Sequence, residues 1–157
     1  MHNHLHANHA PRTTNAVTIG PIPGGGPAGL AALEELGITI TVPKNAELWA
    51  QGESTPYAYR IVSGSVRLVK LMPDGRRQIT DFLTAGEWLG FEGPAEHDFA
   101  AEAVVGSVVR RYPRRQIDAL VAQDIGLARW RLALMSNTLC QAQDRMLTLG
   151  RRTAAER

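Results

Sequence analysis

The residues of this chain that could do chemistry are few and scattered. Its one cysteine, Cys140, could serve as a redox switch if exposed, because it is the thiolate that reacts. Alone it closes no disulfide within the chain and cannot hold zinc or an iron–sulfur cluster, which need several thiolates or imidazoles together. No neighbouring residue lowers its pKa unless Arg145 folds back, so a buried, inert thiol is the plainer expectation.

Four of the five histidines, His2, His4, His6 and His9, crowd the first ten residues among Asn and Ala. There they could bind a divalent metal adventitiously, but a solvated tail is the simpler reading. Only His97 follows, so the several inward imidazoles and carboxylate of a cupin-type metal centre cannot be assembled, and neither a metal nor another cofactor is expected. Ser63, His97 and Asp98 include the residue types of a hydrolytic triad, yet no motif surrounds them and no enzyme is expected. Gly24, Gly26 and Gly29 match G-x-G-x-x-G, the spacing that lets backbone approach a pyrophosphate. Pro21, Pro23 and Pro27 occupy the place of the buried strand that such a site needs, and no βαβ pattern follows, so no dinucleotide is expected. The pairs Arg110-Arg111 and Arg114-Arg115 could present a basic surface to a polymerase subunit or a phosphate; solvated arginines are the preferred reading. Arg76-Arg77 should do no more than keep an exposed turn soluble.

The elements that must position these residues are legible in the pattern. With 157 residues, 44% hydrophobic and 20% charged, the chain suits one globular domain with appendages, and its net charge of +2 does not by itself argue for nucleic acid. Apolar runs are interrupted far short of the ~20 residues that a membrane helix requires, and no secretory h-region opens the chain. A cytoplasmic protein that does not bind membranes is expected. Residues 1–26 read as a disordered tail. Pro27 suits the first turn of a short helix over 28–36, stopped by Gly37.

From residue 38 short β runs alternate with turn residues: 38–42, 47–50, 57–62, 65–72, 77–83, 88–90, 99–105 and 108–112, with Pro73-Asp74-Gly75 as a hairpin turn. Many short strands cornered by glycines predict a sandwich or closed barrel over 27–123. After Pro113 the period becomes helical. A short helix covers 114–122, and Asp124 caps a longer one occupying 124–157. In it Ala128, Leu132, Met135, Leu139, Ala142, Met146 and Leu149 alternate spacings of four and three, the seam of a coiled coil and hence a dimer interface. Packing of that stripe on the chain's own barrel is the competing reading.

A barrel between one short and one long helix resembles the cyclic-nucleotide-binding fold, a β jelly roll, and local motifs resemble those of Crp/Fnr transcription regulators. Gly52, Gly64, Gly86 and Gly90 stand at the family's barrel corners, where positive φ is needed. The runs Tyr59-Arg60-Ile61-Val62-Ser63-Gly64-Ser65-Val66-Arg67-Leu68 and Gly86-Glu87-Trp88-Leu89-Gly90-Phe91-Glu92 resemble two of its blocks. Phe99-Ala100-Ala101-Glu102-Ala103 and the stretch 143–157 are similar to the Fnr/FixK branch, the likeness covering about residues 28–157.

The resemblance implies a sensor barrel whose signal passes through a helix pair to a DNA-reading domain, a homodimer, contact with RNA polymerase, and control of oxygen-limited or nitrogen-related respiration genes. Two departures qualify it. Cyclic-AMP-responsive members hold the ligand phosphate with a Gly-Glu pair and an Arg-Ser or Arg-Thr pair; here the comparable positions fall at Phe91 or Glu92 and at His97-Asp98, so the arginine is missing. A phosphate beside Asp98 without a guanidinium would be poorly compensated. The pocket, formed by Gly86, Glu87, Gly90, Phe91, Glu92, His97 and Asp98, is expected to be vestigial or to serve another signal. Moreover, no recognition helix follows Arg157, so DNA would be reached only through a domain absent from this chain. The alternatives are a stand-alone dimerisation module that modulates a full-length relative, and a cyclic-nucleotide-binding regulatory domain.

Overall fold

The computed structural model describes residues 27–91 and 95–155, with backbone alone at Pro27 and over 145–155; the expected tail 1–26 and Glu92 lie outside the described residues. The fold is a β jelly-roll barrel with flanking helices. Helix α1, Pro27–Leu36, leads into strands β1 (Ile38–Val42), β2 (Glu47–Trp49), β3 (Tyr57–Ser63), β4 (Ser65–Leu71), β5 (Arg77–Thr84), β6 (Trp88–Leu89), β7 (Ala100–Ala103) and β8 (Ser107–Pro113). Helices α2 (Arg114–Gln123) and α3 (Ile125–Ala155) follow. The strands form two antiparallel four-stranded sheets, ordered β1-β8-β3-β6 and β2-β7-β4-β5.

Clean apolar alternation is missing because the first sheet is buried on both faces. Tyr59, Ile61, Leu89 and Val109 point into the core between the sheets, while their neighbours Ala58, Trp88 and Tyr112 point outward into a second core under the helices. Successive residues of a strand face opposite sides, so both parities must be apolar here. In the second sheet a bulge at Leu68/Val69 breaks the β4–β5 register and lets both Val66 and Val69 be buried.

Corner glycines behave as the turns require. Gly52, Gly64, Gly86 and Gly90 all have φ between 84° and 92°. Gly64 alone joins β3 to β4, and a Cβ there would meet the Ser107 Cα at 2.8 Å, so the tightest corner admits no side chain. The hairpin between β4 and β5 closes through Gly75 N–H donating to the Met72 carbonyl at 2.9 Å.

Helix α1 is tied to the barrel by Glu34, whose carboxylate takes Arg60 Nη1 and Arg110 Nη1, each at 2.7 Å. The expectation of solvated arginines is therefore corrected for Arg110, for Arg111, which lies 4.3 Å from the Tyr57 ring centre, and for Arg114, which reaches the Thr55 and Phe91 carbonyls; Arg115 is exposed. Arg77 likewise does more than solubilise a turn, since with Arg67 it clasps the buried carboxylate of Glu102. Asp124 caps α3 as expected, its Oδ1 accepting from Gly126 N at 2.7 Å and Leu127 N at 3.1 Å.

Candidate functional site

Where α3 crosses the barrel it roofs a cavity of about 170 Å³. Strand β5 and the turn after it supply Asp81, Gly86 and Glu87, and the segment before β7 supplies His97, Asp98 and Phe99. Trp49 and Trp88 add aromatic faces from β2 and β6, and the roof is Asn137, Thr138, Gln141 and Ala142, one turn after the packed Leu134.

Each of these groups is held by local bonds. The Glu87 carboxylate accepts from Thr84 N at 2.6 Å and Thr84 Oγ1 at 3.0 Å, closing the β5–β6 turn, while Gly86 N donates to the Ile61 carbonyl. Asp81 Oδ1 accepts from the Phe82 amide at 2.7 Å. The His97 ring stacks on Trp49 with centroids 4.1 Å apart and 14° between planes, and its backbone exchanges bonds with Glu53 and Gly52. Burial, and then the positive charge of Arg114, hold the His97 imidazole below its ordinary pKa against a weaker upward pull from Glu53, so it is neutral at pH 7. Trp49 Nε1 in turn donates to the Phe99 carbonyl at 2.8 Å.

The described part of the lining carries more acidic than basic side chains. Asp81, Glu87 and Asp98 contribute carboxylates, and among the described residues no lysine or arginine lines the cavity. Lys70 comes near, donating to the Asp98 backbone carbonyl at 2.8 Å and lying 5.2 Å from the Phe99 ring centre.

Of the pocket residues expected from the sequence, Gly86, Glu87, His97 and Asp98 line this cavity. Gly90 and Phe91 do not: Gly90 abuts the Tyr57 backbone, and Phe91 packs against Trp88 and Trp130 under the helices. Sequence reasoning missed Asp81, the tryptophans and the α3 roof, because only the helix crossing brings residues 134–142 over β5 and β6. The polar residues of α3 at spacings of three and four were the available signal.

The opposite side of α3 is a different surface. Leu127, Trp130 and Leu134 are buried against the barrel, whereas Leu132, Met135 and Leu139 are 67%, 51% and 60% exposed. Those two stripes stand roughly 130° apart around the helix. Ala128 is half-buried, Ala142 turns to the cavity, and Met146 and Leu149 fall where side chains are not described. Cys140 is exposed, which corrects the expectation of a buried thiol, and it lies about 100° around the helix from Leu139.

Ser63 ends β3 and does not join His97 and Asp98 in the cavity. Among the described residues no group of three or more His, Cys, Asp or Glu could hold a metal, and no helix is long and apolar enough to cross a membrane.

Residues 39–124 match the family described as the cyclic nucleotide-binding domain. The nitrogen fixation regulation protein FixK of Rhizobium meliloti (strain 1021) is 32% identical over 147 residues, 94% of this chain and 62% of that protein. The fumarate and nitrate reduction regulatory protein of Salmonella typhi is 30% identical over 118 residues, 74% of this chain and 47% of that protein. In structure, FixK2 from Bradyrhizobium japonicum superposes with a TM-score of 0.68 at 36% identity, covering 73% of this chain and 58% of that one. The chain thus spans about half to three-fifths of the relatives it matches.

Proposed function

This chain belongs to the cyclic nucleotide-binding domain family, with regulatory proteins of the Crp/Fnr type and not enzymes as its relatives, and on that premise we propose that it is the sensor and dimerisation portion of such a transcription regulator. Two copies pair in parallel along α3, and the barrel biases the helix pair, which sets the spacing of two DNA-reading domains. The names of the relatives, which refer to nitrogen fixation and to fumarate and nitrate reduction, support oxygen-limited or nitrogen-related respiration as the regulated process.

The exposed stripe Leu132, Met135 and Leu139 carries this reading. It is apolar, it repeats at heptad spacing, and the barrel already has its own stripe on the same helix. A helix that buries one face against its domain and exposes a second apolar face suits pairing with a second helix. Signal transfer needs two arrangements of that pair within a few kcal/mol of each other, and the cavity under the same helix is where a ligand would favour one of them. The sequence positions compared with the family's phosphate-binding pairs hold His97 and Asp98 and no arginine, which speaks against a cyclic nucleotide as that ligand.

Cysteine crosslinking tests the pairing and its direction. In a Cys140→Ser background, Leu132→Cys is expected to give an inter-chain disulfide under mild oxidation, because equivalent seam positions meet across a parallel pair within reach of an S–S bond. Native Cys140, well around the helix, is expected to crosslink poorly. No crosslink at position 132, or equal crosslinking at both positions, overturns the reading.

A further inference from the structure

We propose that the cavity under α3 binds a small neutral phenol, whose ring fills the apolar part of the space and whose hydroxyl bonds to the His97 imidazole. The inference rests on the sensor reading and deepens it by naming the ligand class of that site.

His97 supplies the recognition. Its backbone is committed elsewhere, the amide donating to the Glu53 carbonyl and the carbonyl accepting from the Gly52 amide, each at 2.8 Å, and the residue lines the cavity. It is 6% exposed, and its imidazole makes no hydrogen bond among the described residues; the stack on Trp49 is what holds the ring. Neutral at pH 7, the ring carries a proton on one nitrogen and a lone pair on the other. A buried donor and acceptor without partners are costly, and a ligand that bonds to either recovers that cost. A phenol hydroxyl suits both nitrogens, since it donates to the bare one or accepts from the protonated one.

The charged side chains around the imidazole are engaged or hydrated. Glu87 accepts from Thr84, Asp81 Oδ1 accepts from the Phe82 amide, Lys70 donates to the Asp98 backbone carbonyl, and Asp98 itself is exposed to water. A charged ligand sheds its hydration on entering such a space, whereas a phenol brings no charge to desolvate.

Shape gives the ring. Trp49, Leu68, Leu83, Trp88 and Leu134 form the apolar walls. An apolar cavity of about 150 Å³ holds one benzene ring, so a space of about 170 Å³ fits a single ring with one small substituent. Trp88 and Leu134 belong also to the core under the helices, and a ligand held against them touches the barrel and α3 at once. Leu134 and Thr138 line the space directly beside Met135 and Leu139 of the exposed stripe, so occupancy bears on the pairing helix.

The test titrates the 157-residue chain by calorimetry with phenol, toluene, benzoate, benzylamine and cyclic AMP. Toluene keeps the shape of phenol with a methyl in place of the hydroxyl. Phenol is expected to bind at least about tenfold more tightly than toluene and than either charged analogue. His97→Phe, which keeps a ring on Trp49, should bind toluene, lose the preference for phenol and retain the circular dichroism spectrum of the wild type. No heat with phenol at millimolar concentration, equal or tighter binding of any other compound, or a phenol preference that survives in folded His97→Phe would each overturn the proposal. Should His97→Phe fail to fold, Gln141→Trp, which closes the space from a half-buried helix position, decides instead, and phenol binding that survives it overturns the site. Solution mass measured on the same samples separates the two claims. A dimer that ignores phenol sinks only the ligand class, and a monomer that binds it sinks the helix-paired reading while the site stands.

Discussion

His97 is the one histidine among the described residues, and it lines the cavity under α3. Stacked on Trp49 and 6% exposed, it is kept neutral by burial and by Arg114, so its folded-state pKa lies below the ordinary 6.5. A depressed histidine pKa means that the unfolded chain binds the proton more readily. The contribution to stability is fully present above pH 6.5 and is lost as the pH falls through the folded value. Thermal unfolding of the wild type should therefore drop between about pH 7.5 and about pH 5.5, and His97→Phe, which keeps an aromatic ring on Trp49, should flatten that drop. An acid limb identical in the two proteins would remove His97 from the account. At this scale the sequence offered little chemistry: with one cysteine and one histidine beyond the tail, no metal or cluster site was expected. It was silent about Asp81, whose role depends on a helix some fifty residues later crossing above it.

Helix α3 shows why elements were easier to read than contacts. Asp124 sits between two helical stretches, and a short acidic residue there could be read as an N-cap directly; its carboxylate takes the amides of Gly126 and Leu127. Asp124→Ala should cost about 1 kcal/mol and lower the thermal midpoint by a few degrees, measured by circular dichroism, and an unchanged midpoint would mean that packing alone fixes the start of the helix. The heptad stripe was equally legible, but not its limits. Ala142 obeys the seven-residue spacing and nevertheless turns to the cavity, because a straight helix drifts relative to a strict heptad and the barrel claims the adjoining face. Among the strands, the run expected over 99–105 forms β7 only over Ala100–Ala103, since Val104 and Val105 enter the corner that carries the chain to Ser107. Apolar side chains there say nothing about where a corner falls. The arginines misled for a related reason: their carboxylate partner Glu34 is distant in sequence, and only the fold brings Arg60 and Arg110 to it.

The molecule as a whole presents two consequences of one helix: an underside that closes a cavity over the barrel and an outer face with no partner in the single chain. If the outer face is a dimer seam, the cavity and the seam share a lever, and the barrel can report its occupancy through the orientation of α3. Cavity and stripe alone would give a small binding domain; pairing would make it a sensor. The most direct test is the solution mass of the 157-residue chain by light-scattering chromatography, beside Leu139→Arg, which places a charge in the middle of the exposed stripe where no barrel contact is lost. The account predicts a dimer for the wild type and a folded monomer for Leu139→Arg; a monomer in both, or a dimer indifferent to the substitution, would contradict it.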